Sequence, residues 1–66
     1  MKYEEFVNAV KTKLQKDYKY SKEKTDKYFN TPDVKEVLDD NYKHINDKSS
    51  NITVSSTAST LDMLYE

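Results

Sequence analysis

Apolar side chains recur with a helical period in separate stretches of this chain. Tyr3, Phe6, Val7, Val10, Leu14 and Tyr18 fall at i, i+3, i+4, i+7, i+11 and i+15, one stripe of an amphipathic helix. Lys2, Glu4, Glu5, Lys11, Lys13 and Gln15 take its other faces, with the acids in the first turns where they complement the helix dipole. The pattern predicts a helix over residues 2–17. Val34, Val37, Leu38, Tyr42 and Ile45 form a second clear stripe at i, i+3, i+4, i+8 and i+11, and predict a helix over 32–45 that Asn46 ends.

Between the two, Ser21 offers a cap to a short helix over 22–30, with Glu23 in its first turn and Tyr28-Phe29 as its apolar contribution. Asn30-Thr31-Pro32-Asp33 reads as a stop and a restart. Asn30 can take the left-handed conformation that glycine usually supplies, Thr31 caps, Pro32 sits at the first helical position and Asp33 favours the positive end of the dipole. Residues 46–56 are mostly Asn, Asp, Ser and Thr and predict a flexible loop. Ile52-Thr53-Val54 within it has strand propensity but no second strand to pair with, so an extended segment lying on the helices is expected. Ala58, Leu61, Leu64 and Tyr65, at i, i+3, i+6 and i+7, predict a last helix over 57–65. The expected fold is all-α, a single-domain bundle of three to four short helices whose last one closes an open side with Leu61, Leu64 and Tyr65.

Length limits what such a bundle can do. Ordering 66 residues costs about 100 kcal/mol at about 1.5 kcal/mol each, and so small a core offsets little more than that. A partner or a second copy would therefore help hold the chain together. There is no Cys, which removes disulfide staples, thiolate zinc sites and thiol catalysis. No run approaches the roughly 20 apolar residues that span a bilayer, and Met1 to Phe6 carries acids where a secretory signal has a basic region, so a cytoplasmic protein is the default. Without export, the sequon Asn51-Ile52-Thr53 has no chemical consequence.

Catalytic patterns are missing. His44 stands one turn after Asp40 and three residues before Asp47, a conceivable metal site; a metal would still need further solvated carboxylates, and a histidine stabilising the negative end of its helix explains the same spacing. Asp39 and Asp40 are adjacent, and adjacent helix positions point about 100° apart, so they do not share a proton. With no Gly anywhere, calcium loops and phosphate cradles lack the residue they require. Ser and Thr abound without a positioned base. The expectation is a protein that is not an enzyme and takes no cofactor, metal or small molecule.

Charge is more informative. All eleven basic residues are Lys, and without the rigid fork of Arg a sequence-specific reader of DNA is disfavoured. Seven of them, Lys11, Lys13, Lys16, Lys19, Lys22, Lys24 and Lys27, crowd one segment against three acids and alternate with Tyr18, Tyr20 and Tyr28, while the rest of the chain is negative. Basic side chains with aromatics between them can hold a nucleic-acid backbone. The plainer account is a solvated lysine-rich surface with Tyr18 and Tyr28 in the core. A helix-turn-helix around Thr31-Pro32 would present Asp33, Glu36, Asp39 and Asp40 to phosphates, which counts against groove insertion. At the other end, Leu61-Asp62-Met63-Leu64-Tyr65-Glu66 is either a helix that docks on a partner or the last piece of the core. Tyr3, Tyr20 and Met63 are the apolar residues hardest to place inside, and hence the candidates for an exposed protein-interaction patch.

Tyr3-Glu4-Glu5-Phe6, Tyr28-Phe29-Asn30-Thr31-Pro32-Asp33-Val34 and Leu61-Asp62-Met63-Leu64-Tyr65 together resemble small uncharacterised proteins carried by phages and integrative elements of Gram-positive bacteria. The resemblance covers most of the chain and carries no catalytic motif. It implies a mobile-element accessory protein, a class that often modulates host or element machinery. The leading expectation is a non-catalytic helical module that binds another protein or itself as a homodimer. The alternative is contact with a nucleic-acid backbone through the Lys11–Lys27 segment.

Overall fold

A computed structural model describes residues 2–47 and 49–65. Lys48 of the expected loop and Glu66 of the expected C-terminal segment lie outside the described residues. Four helices follow in order: α1 (Tyr3–Asp17), α2 (Lys22–Tyr28), α3 (Pro32–Ile45) and α4 (Val54–Leu64). The all-α bundle read from periodicity is the architecture observed, with no strand among the described residues. It measures 33 × 23 × 22 Å. The last helix packs chiefly against the first and less extensively against the third, so residues far apart in sequence close the core.

α1 begins where expected, with Lys2 as an extended cap residue whose N–H donates to the Glu5 carboxylate at 3.2 Å. Its stripe is buried at Phe6, Val10 and Leu14. Its end supplies the first departure. Lys19 has φ of 59°, the one positive-φ residue among those described, and the turn lets the Leu14 carbonyl accept from both the Tyr18 and Tyr20 N–H groups, at 3.2 and 3.1 Å. The left-handed residue of this chain is thus a lysine after α1, and Asn30 does not take that conformation.

Ser21 caps α2 as its position predicts, its hydroxyl accepting from the Lys24 N–H at 3.0 Å. α2 ends at Tyr28, two residues earlier than expected. Thr31 occupies the cap position of α3 without capping it. Its hydroxyl donates backward to the Tyr28 carbonyl at 2.8 Å, satisfying the end of α2 instead, and Pro32 starts α3 as expected.

α4 starts at Val54, three residues before the predicted 57, so residues 54–56 belong to this helix and not to the expected loop over 46–56. A reciprocal pair of hydrogen bonds fixes this start: the Ser56 N–H donates to Thr53 Oγ1 at 3.1 Å and the Thr53 N–H donates to Ser56 Oγ at 2.9 Å. Asp47 ties the other end of the loop, accepting from the Ser49 N–H at 3.0 Å and its hydroxyl at 2.8 Å, contacts that hold its carboxyl below the usual carboxylate value. The buried face of α4 is Thr57, Ala58 and Leu61. Thr57 is tolerated inside because its hydroxyl donates to the Thr53 carbonyl at 2.8 Å and accepts from the Asn41 amide at 3.1 Å. Leu64 and Tyr65, expected to close the core, remain exposed.

Candidate interaction surface

The three residues singled out for an exposed patch separate in the structure. Met63 is 76% exposed near the end of α4. Tyr3 is 37% exposed, but its ring stands edge-on to Tyr42 at 5.2 Å, and burial together with the Asp39 carboxylate pushes its hydroxyl up to about 12. Tyr20 is only 6% exposed and belongs to the core, which corrects its assignment to the patch. The turn at Lys19 explains the difference: it folds the chain back so that the Tyr20 ring lies against the bundle, an outcome that helical periodicity does not carry.

Around Tyr20 the chain assembles a polar and aromatic cluster. The Tyr20 hydroxyl donates to Asp62 Oδ1 at 2.7 Å and the Tyr28 hydroxyl donates to the Leu61 carbonyl at 2.6 Å. Tyr65 stands edge-on to Tyr28 at 4.8 Å and lies 5.6 Å from Tyr20. The Lys24 ammonium sits over both Tyr20 and Tyr65, at 4.0 and 4.3 Å from their ring centres. Burial raises the hydroxyl pKa values of Tyr20 and Tyr28, and the Asp62 carboxylate raises them further. These contacts tie the end of α4 to α2 and the turn before it. They act as a structural clasp from which Tyr65 still keeps 45% of its surface exposed.

The apolar patch that the structure does expose is Met63, Leu64 and Tyr65, at 76%, 57% and 45%. Leu64 lines a groove along α3 with Tyr28, Val34 and Val37, and Asp33, Glu36, Asp39, Asp40 and Lys43 are the charged residues among its described lining. Tyr65 lines a neighbouring groove with Lys24, Lys27 and Glu23, and Tyr28 and Thr31 belong to the walls of both. Leu64 and Tyr65 were legible only as apolar residues on a continuing helical stripe. Nothing local marked that the stripe runs past the elements available to cover it.

The lysine-rich segment is less available than its sequence promises. Lys11 faces Asp26 at 3.9 Å, Lys13 pairs with Asp17, Lys27 lies 3.4 Å from Glu23, and Lys24 is held over two tyrosine rings. Lys16, Lys19 and Lys22 are exposed and have no acidic partner among the described residues. Tyr18 and Tyr28 pack partly buried against the core and are not a free stacking platform. His44 is exposed in the last turn of α3, where its carbonyl accepts from the Asp47 N–H at 3.0 Å. No group of three or more His, Cys, Asp or Glu among the described residues is arranged to hold a metal ion. None of the described helices is long and apolar enough to cross a membrane. Comparison with protein-family models, with curated proteins and with solved structures finds no match to this chain.

Proposed function

We propose that this chain is a non-catalytic helical interaction module that binds a protein surface through the patch at the end of α4 and the groove beside it. The observation that carries the reading is Leu64, 57% exposed over a groove of partly apolar lining and flanked in sequence by two further exposed large side chains. A chain with nine buried apolar residues among those described gains most by adding such side chains to its own core. Three consecutive ones left in water are an apolar surface with a use. Engagement of four of the seven clustered lysines by acids or rings favours this reading over nucleic-acid contact. A cytoplasmic setting and a role in modulating mobile-element or host machinery belong to the same proposal, the latter resting on the resemblance described above.

The test is site-specific photo-crosslinking in the cells that encode the protein. The photoreactive residue p-benzoylphenylalanine replaces Leu64 in one strain and Ser55, exposed at the other end of α4, in a second. The nine intervening steps separate the two probes by about 14 Å along the helix. A discrete adduct from position 64 alone, mapped to a defined peptide, supports the proposal. No adduct, or the same adducts from both positions, overturns it.

A further inference from the structure

The two grooves that meet at Tyr28 and Thr31 carry opposite charge, and the three ion pairs among the described residues explain how that arises. Asp17, Glu23 and Asp26 are each matched by a lysine of α1 or α2. Among the described residues no cation pairs with Asp33, Glu36 or Asp40 of α3. One side of the exposed Leu64–Tyr65 step is therefore an acidic edge of four carboxylates beside Lys43, and the other is a weakly basic side on which Lys24, lying over the Tyr20 and Tyr65 rings, and Lys27, 3.4 Å from Glu23, outnumber the acid among the described lining residues.

Resting on the interaction-module reading, we propose that the occupant of this surface is a second copy of the chain, related to the first by a two-fold axis. In a two-fold contact the same patch meets itself with its two sides exchanged. A patch of one sign would repel its copy. A patch with an apolar centre, an acidic side and a basic side places each copy's α3 carboxylates against the other's α2 lysines, twice over, with Leu64 and Tyr65 enclosed between. The net charge of −1 leaves little long-range repulsion between copies. A stable interface takes about 800 Å² from each partner, about one sixth of the 4749 Å² that this chain exposes.

Sedimentation equilibrium of the full chain from about 10 μM to about 1 mM tests this, a range that detects dissociation constants of about 1 mM and tighter. The expected result is a reversible step from 7.8 kDa to twice that mass, stopping there, and weaker in about 0.5 M salt, where exposed charges are screened. Leu64→Ser yields a monomer. Glu36→Lys and Lys27→Glu each weaken self-association about tenfold, and an equimolar mixture of the two restores it, because in the mixed dimer both charge contacts are again opposite. All three positions are exposed, and far-ultraviolet circular dichroism checks that each variant keeps its helices. A monomer at every concentration, a mass that keeps growing past the dimer, or a dimer indifferent to Leu64→Ser overturns the inference. If the chain is monomeric while the adduct from position 64 maps to a different protein, only the second-copy inference fails. If there is neither dimer nor adduct, both readings fail.

Discussion

The Tyr20 hydroxyl donates to the Asp62 carboxylate at 2.7 Å, across 42 positions of chain, and so fastens the turn after α1 to the last turn of α4. Neither residue announces the contact. Tyr20 lies outside any helical stripe, and Asp62 sits on the polar side of a short helix. The bond exists because the left-handed Lys19 turns Tyr20 inward and because α4 lies against α1.

Removing that bond should be measurable without loss of the fold. Tyr20→Phe keeps the ring and deletes the hydroxyl, leaving the Asp62 carboxylate a partner short, so it is expected to cost about 1–2 kcal/mol in urea unfolding. An unchanged midpoint would mean that the clasp adds nothing.

Alkaline pH should loosen the molecule. Burial and nearby carboxylates raise the hydroxyls of Tyr3, Tyr20 and Tyr28 above their ordinary value of 10.0, Tyr3 to about 12. The folded chain then holds these protons more tightly than the unfolded chain. Its stabilisation is complete below pH 10 and is lost as pH rises through the raised values. The urea midpoint is expected to fall between pH 10 and 12, and to fall less steeply in Tyr20→Phe. A parallel decline in both proteins would contradict the assignment.

Lys19 pays a conformational penalty that glycine would not. With φ of 59° it lies in the left-handed region, which costs a residue with a Cβ about 1–2 kcal/mol. Greater freedom of glycine in the unfolded chain returns part of that. Lys19→Gly is expected to raise stability by up to about 1 kcal/mol, whereas the same replacement at Asn30, which has no positive φ, should lower it.

The start of α4 depends on two side chains. Thr53→Ala removes the hydroxyl that accepts from the Ser56 N–H and is expected to cost about 1 kcal/mol. Amide exchange should quicken most in the first turn of α4. Uniform acceleration through the helix would instead indicate that the cap contributes to global stability alone.

Two nearby apolar residues of α4 should behave in opposite ways. Leu61 is fully buried and Met63 is 76% exposed. Leu61→Ala is expected to cost about 2–5 kcal/mol, enough to unfold most of a chain this small, while Met63→Ala stays within about 0.5 kcal/mol. Thermal unfolding followed by circular dichroism separates the two outcomes.

What the sequence determined by itself is the set of local choices. The 3.6-residue stripe of α1 and α3, the Ser21 cap and the Pro32 start depend on neighbours within a turn or two, and the observed helices follow them closely. The start of α4 was also written locally, in Thr53 and Ser56, but a run of eligible Ser and Thr residues left its position open. Tertiary structure decided which side of each stripe finds a partner. Leu61 and Leu64 look alike in a helical pattern, yet α1 and α3 reach the first, and no described element covers the second. Tyr20 went the other way, drawn inside by one positive φ. The same logic applies to charge: Asp17, Glu23 and Asp26 found lysines, and among the described residues the acids of α3 did not, which leaves the surface where function is proposed. Burial and pairing depend on distances between elements, and a one-dimensional pattern does not contain those distances.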